Sequence, residues 1–324
     1  MPQLRSERLN VDATPYYHLT SRCVRRAYLC GKDPNTGEDF EYRREWVEEK
    51  LFELATVFAV DLHAYAVMSN HLHLVLRVDK ERAEGWSEQE VIRRYGKLFR
   101  FKPQELASLP KREQKARVLE WRERLWDLSW LMRCLNESIA RRANAEEDCK
   151  GRFWEGRFRC QPLLDDAAVL TCMAYVDLNP VRAGITKSLE RSKHTSIAKR
   201  MQQLDAALKS DAAPVPKGLT PFAEQVAARS RRTIVPMQFV DYVELLEWTG
   251  RSVRSRGPSG TFKDEPKLLT RLRLNRNAFV AMMRSHGLRT TSVLGSLDLV
   301  DAFADENGKH WVQGRSVSQK LYRG

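Results

Sequence analysis

The chain has 324 residues, enough for about two domains of ordinary size. With 42% hydrophobic and 9% aromatic residues it can bury a real core, which excludes a wholly disordered protein. Lys and Arg number 55 against 42 Asp and Glu, a net charge of +13 that points to a polyanionic partner, nucleic acid ahead of an anionic membrane; a protein that is merely basic is the plain alternative.

No membrane span is expected. The longest stretch free of Asp, Glu, Lys and Arg is Leu62 to Leu76, short of the roughly 20 residues a span needs and broken by three histidines. Met1 to Asp12 has no apolar signal-like core, so a cytosolic location is expected. The cysteines Cys23, Cys30, Cys134, Cys149, Cys160 and Cys172 form no C-x-x-C pair, and reduced thiols are their simplest reading.

Taken in chain order, Thr14 to Val24 reads as a strand rich in β-formers, and Asp33-Pro34-Asn35-Thr36-Gly37 as a loop. Glu45 to Phe58 reads as a helix, with Val47, Leu51, Leu54 and Phe58 at helical spacing. Val60 to Met68 and His71 to Val78 read as two strands joined by a turn at Ser69-Asn70. The implied β-α-β-β order predicts an α+β fold, an antiparallel sheet with a helix against one face. Lys80 to Trp126 is charged, helical and mostly solvent-facing, and Leu128 to Ala143 is an amphipathic helix. Gly151 to Leu164 is irregular or strand-like. Asp165 or Asp166 caps a helix that runs to about Leu178. Residues 1–204 form the first domain, the Ala- and Pro-rich stretch 205–220 a linker, and 221–324 a mostly helical, basic region.

Three patterns carry chemistry. On a strand, His71 and His73 share one face while Leu72, Leu74 and Leu76 share the other. Two imidazoles so held are half of a divalent-metal site, or else two ordinary strand histidines. On the following helix Ala168, Cys172, Tyr175 and Asn179 form one stripe, which lets Tyr175 and Asn179 point together into a cleft. Tyr175 could equally be a packed aromatic, and Asn179, before Pro180, a helix N-cap. In Gly151 to Arg159, the arginines Arg152, Arg157 and Arg159 alternate with Phe153, Trp154 and Phe158, a pattern that can hold phosphates and stack on unpaired bases, or simply be an amphipathic strand. Arg22, Arg25, Arg26 and Arg182 are further phosphate candidates. His18 and His63 read as lone strand histidines with structural roles.

Four ordered motifs together carry a family resemblance. They are Tyr17-His18-Leu19-Thr20-Ser21-Arg22, Ala66-Val67-Met68-Ser69-Asn70-His71-Leu72-His73-Leu74, Gly151-Arg152-Phe153-Trp154, and Tyr175-Val-Asp-Leu-Asn179-Pro180-Val181-Arg182-Ala183-Gly184. Over about residues 10–200 the chain resembles the REP-associated tyrosine transposases, single-tyrosine HUH enzymes of bacterial insertion sequences; Ser69 stands where the turn often has proline, and residues 205–324 are not covered. The resemblance implies a ferredoxin-like core with His71 and His73 on a central strand. It implies Tyr175 as nucleophile and Asn179 as the third ligand of a Mg²⁺ or Mn²⁺ ion. It also implies single-stranded or hairpin DNA as partner, and action as a monomer or homodimer. A phenol is a modest nucleophile at neutral pH, so a cation on the phosphate suits such chemistry. No G-x-x-x-x-G-K-[ST] loop is present, as expected of a reaction that keeps bond energy in a phosphotyrosine. Two other readings compete: a DNA- or RNA-binding protein that has lost the chemistry, and a metal-dependent nuclease that activates water.

Overall fold

A computed structural model describes residues 10–24, 29–33, 37–99, 103–210, 218–226, 233–254, 264–285 and 287–323. Strand β1 (Tyr16–Arg22) leads to helix α1 (Arg43–Val57), the hairpin β2 (Val60–Val67) and β3 (His71–Val78), and the helices α2 (Lys80–Glu84), α3 (Glu88–Leu98), α4 (Pro103–Ala107), α5 (Lys111–Arg124) and α6 (Leu128–Glu146). Strand β4 (Arg159–Leu163) follows, then α7 (Asp166–Asp177), α8 (Asn179–Arg182) and α9 (Ser196–Ser210). The remaining helices are α10 (Phe239–Arg254), α11 (Lys267–Arg271), α12 (Arg276–Arg284), α13 (Gly287–Thr290), α14 (Leu297–Glu306) and α15 (Arg315–Leu321).

The four strands pair antiparallel in the order β2-β3-β1-β4, the ferredoxin-like arrangement, with β3 and β1 at the centre. The α+β expectation therefore holds. Both faces of the sheet are covered, rather than one. Tyr17, Leu19, Leu72, Leu74 and Leu76 pack with Val47, Leu51 and Leu54 of α1 and Leu131, Leu135 and Ile139 of α6. On the other face Ala64, Ala66, Val75 and Leu163 pack with α7. Helix α7 is buried along its whole circumference because α10 and α12 cover its outer side with Tyr242, Leu245, Leu246, Phe279 and Met283.

The charged stretch after β3 is helical and mostly exposed, as expected, while Val91, Tyr95, Val118 and Trp121 enter the core and the Tyr95 and Trp121 rings stack at 4.5 Å. Helix α9 runs on to Ser210, so the chain is still helical past residue 205; residues 211–217 of the expected linker lie outside the described residues. No helix among the described residues is long and apolar enough to cross a membrane.

Candidate active site

Pairing register builds the site. Strand β1 sets Thr20 opposite His73 and Arg22 opposite His71, and β4 sets Gln161 opposite His18 and Arg159 opposite Thr20. Side chains alternate along each strand, so these seven residues share one face of the sheet. The His71 and His73 rings lie 4.8 Å apart, nearly perpendicular. His18 is not the lone histidine that its position in the sequence suggested. Its ring lies edge to edge with that of His73, the centroids 5.1 Å apart and the planes nearly parallel, and its Nε2 lies 2.9 Å from His73 Nδ1. Thr20 Oγ1 is 3.2 Å from the same nitrogen, while His71 Nδ1 lies 2.6 Å from Asn70 Oδ1. Burial pushes the His18 imidazole down to about 4, against a hydrogen bond to Gln161 and with help from Arg159.

Tyr175 comes from α7, whose N-terminus Asp165 caps by accepting from Ala168 N. Its ring meets the His73 ring edge-on at 6.0 Å. The residue is 1% exposed, and its hydroxyl has no hydrogen-bond partner among the described residues. The Arg182 guanidinium lies 4.0 Å over the ring and donates to the carbonyls of Met283 and Ser285 at the end of α12. Asn179 opens α8. It is buried and follows the cap position, which is Leu178, so the N-cap alternative fails, and its Nδ2 has no partner among the described residues. The structure thus brings His71, His73, Tyr175 and Arg182 together and keeps Asn179 one helical turn beyond Tyr175. It does not open the pair into a cleft: both residues are buried, because the C-terminal helices close over α7.

A cavity of about 290 Å³ opens beside the histidines, lined among others by His18, Thr20, His71, Arg22, Arg157 and Arg159. Tyr175 and Asn179 are not among its lining residues. Arg22 and Arg157 are exposed, with Arg22 3.7 Å from Glu155. Arg159 donates to the Thr291 carbonyl at 2.5 Å. Arg152 is exposed; Arg25 and Arg26 lie outside the described residues.

The aromatic half of the expected nucleic-acid motif is corrected. Phe153, Trp154 and Phe158 are 4%, 8% and 9% exposed, and Trp154 Nε1 donates to the Asn136 carbonyl at 2.8 Å. The segment docks on the end of β1 through Val24 N to Phe153 O and Glu155 N to Arg22 O, which turns its rings into the core instead of toward a base. Arg182 is likewise committed to carbonyls within the chain, where the sequence pattern suggested a phosphate contact.

Sequence reasoning gave no role to Asp177, Gln161 or Thr291. Asp177, two residues after Tyr175, is fully buried and accepts from Ser196 Oγ at 2.5 Å, Ile197 N at 2.9 Å and Tyr242 Oη at 2.7 Å. Burial raises its carboxyl group above the usual range although these donors oppose the shift. Arg200, also buried, donates to the His63 carbonyl at 3.0 Å nearby. The cluster ties α7 to α9 and α10. A polar residue inside the apolar run Leu170 to Val181 was the signal available in the sequence.

No family model matches the sequence, and no curated protein does. Among solved structures, the chain is similar to a REP-associated tyrosine transposase bound to a REP hairpin, with a TM-score of 0.38 and 12% identity over 62% of this chain and 86% of that one. A likeness so distant says nothing of activity, and function is argued from the site itself.

Proposed function

We propose that the protein is a DNA strand transferase that nicks and rejoins single-stranded or hairpin DNA through Tyr175. The observation that carries this reading is the meeting of a histidine pair on a central strand with a buried phenol whose hydroxyl has no hydrogen-bond partner among the described residues. A buried hydroxyl left unpaired costs free energy, so its retention calls for a role other than packing. The Tyr175 oxygen attacks the scissile phosphorus, the P–O3′ bond breaks, and the phenolic proton ends on the departing 3′-oxygen. The products are a 5′-phosphotyrosine and a free 3′-OH, and attack by another 3′-OH reverses the step.

The residues present fit a divalent cation. Two imidazoles are nitrogen donors suited to Mg²⁺-replacing ions such as Mn²⁺, and Asn179 carries an amide oxygen. Among the described residues no group of three His, Cys, Asp or Glu side chains is arranged to hold a metal ion, and Asn179 is the third ligand in this reading. His71, His73 and Asn179 would hold the ion, which when bound supplies charge neutralisation at a phosphate oxygen. Arg22 and Arg157, exposed at the cavity, would hold backbone phosphates in this reading.

The 1% exposure of Tyr175 favours a second reading, a hairpin-binding protein without chemistry, because a phosphate reaches the phenol only if the cover formed by Arg182 and the end of α12 shifts. One experiment separates the two. Full-length protein is incubated with labelled single-stranded hairpin DNA and Mn²⁺, and covalent adduct is sought on denaturing gels. Strand transfer predicts an adduct on the 5′ side that is abolished in Tyr175→Phe. Adduct in Tyr175→Phe removes that tyrosine from the mechanism, cleavage without adduct points to water as nucleophile, and binding without cleavage favours the second reading.

A further inference from the structure

A run of hydrogen bonds links the C-terminal helices to the histidine pair. Gln161 Nε2 donates to the Thr291 carbonyl at 3.2 Å and also meets Thr291 Oγ1. A carbonyl only accepts, so the Gln161 amide is turned with Oε1 toward His18, 3.0 Å from His18 Nδ1. That oxygen too only accepts, so His18 Nδ1 carries a proton. His18 is buried, its ring lies edge to edge with that of His73 with the planes 13° apart, and no Asp or Glu among the described residues is hydrogen-bonded to it, so a charged imidazole is disfavoured. A neutral His18 protonated on Nδ1 has its lone pair on Nε2, which faces His73 Nδ1 at 2.9 Å. His73 Nδ1 is then the donor, and the lone pair of His73 sits on Nε2.

We propose that His18 and Gln161 are positioning residues that hold His73 in the Nδ1–H tautomer and so present its Nε2 as a metal ligand, with Thr291 of the C-terminal helical region anchoring the run. The inference rests on the reading of His71 and His73 as ligands. It also gives the region beyond residue 220 a direct part in the site, since Gln161 is oriented from Thr291, 130 residues away in the chain. Orienting partners of this kind commonly change metal affinity by roughly 10–100-fold when lost.

The test uses full-length, metal-free, ¹⁵N-labelled protein. Long-range ¹H–¹⁵N spectra distinguish an imidazole protonated on Nδ1 from one protonated on Nε2. Mn²⁺ affinity is measured separately by calorimetry, without DNA. The parent protein is expected to show His73 as Nδ1–H. In His18→Leu, which removes the acceptor, His73 should lose its single tautomer and Mn²⁺ binding should weaken by roughly 10–100-fold. His18→Gln restores an acceptor oxygen and should retain most of the affinity. A parent His73 protonated on Nε2, or a His18→Leu protein with tautomer and affinity unchanged, overturns the proposal. The parent measurement decides even if His18→Leu fails to fold. A parent protein with the Nδ1–H tautomer that forms no DNA adduct would support this arrangement while sinking the strand-transfer reading.

Discussion

Tyr242→Phe and Tyr175→Phe delete the same oxygen from two buried phenols, and the surroundings predict different outcomes. The Tyr242 hydroxyl donates to Asp177 Oδ2 at 2.7 Å, while the Ser196 and Ile197 donors both serve Oδ1. Both residues are 0% exposed, so water cannot replace the lost donor. A hydrogen bond to a charged group contributes about 1.5–3 kcal/mol, and that is the expected loss for Tyr242→Phe. The Tyr175 hydroxyl has no partner among the described residues, so its removal relieves a buried unsatisfied group; the expected change lies between zero and a gain of about 1 kcal/mol. Urea unfolding followed by circular dichroism measures both, as shifts of midpoint at constant slope. The reasoning is refuted if Tyr242→Phe stays within about 0.5 kcal/mol of the parent, or if Tyr175→Phe costs as much as Tyr242→Phe.

Burial holds the His63 imidazole down to about 4, opposed by its bond to the Asp61 carbonyl. The unfolded chain takes up that proton near pH 6.5, so its contribution to stability is full above pH 6.5 and falls toward pH 4, by on the order of 3 kcal/mol; His18, also held down to about 4, adds a fall of similar size, so His63→Gln should remove about half of the decline seen in urea unfolding across that window. Arg157→Ala should lower the salt slope of single-stranded DNA binding by about 0.7, whereas Arg182→Ala should leave it unchanged because that guanidinium serves the Met283 and Ser285 carbonyls; filter binding across salt concentrations checks both. Phe153→Ala should destabilise the fold by about 3–5 kcal/mol in urea unfolding, and a folded variant of parental stability with weakened DNA binding would restore the ring to the interface. Removing residues 206–324 should unfold the remainder, seen as lost near-ultraviolet dichroism, since it strips Tyr242, Leu245, Phe279 and Met283 from the core around α7.

Much of the architecture was legible before any coordinates. The strands around His71 and the helix ending near Leu178 follow from local periodicity, which depends only on neighbours a few residues apart. The same periodicity put His71 and His73 on one face and the three leucines on the other. What sequence could not decide was which distant elements meet. That His18 lies against His73 depends on the β1–β3 register, and that Gln161 turns to Thr291 depends on where a far segment docks. The alternation of arginine with aromatics in residues 151–159 reads as an open nucleic-acid face, because sequence spacing does not reveal that α6 lies beneath the rings. The pairing of Asp177 with Tyr242, and the sealing of Tyr175 under Arg182, were likewise settled by tertiary packing: desolvation and hydrogen bonding act through space, and the chain brings those groups together only once the C-terminal helices close over α7.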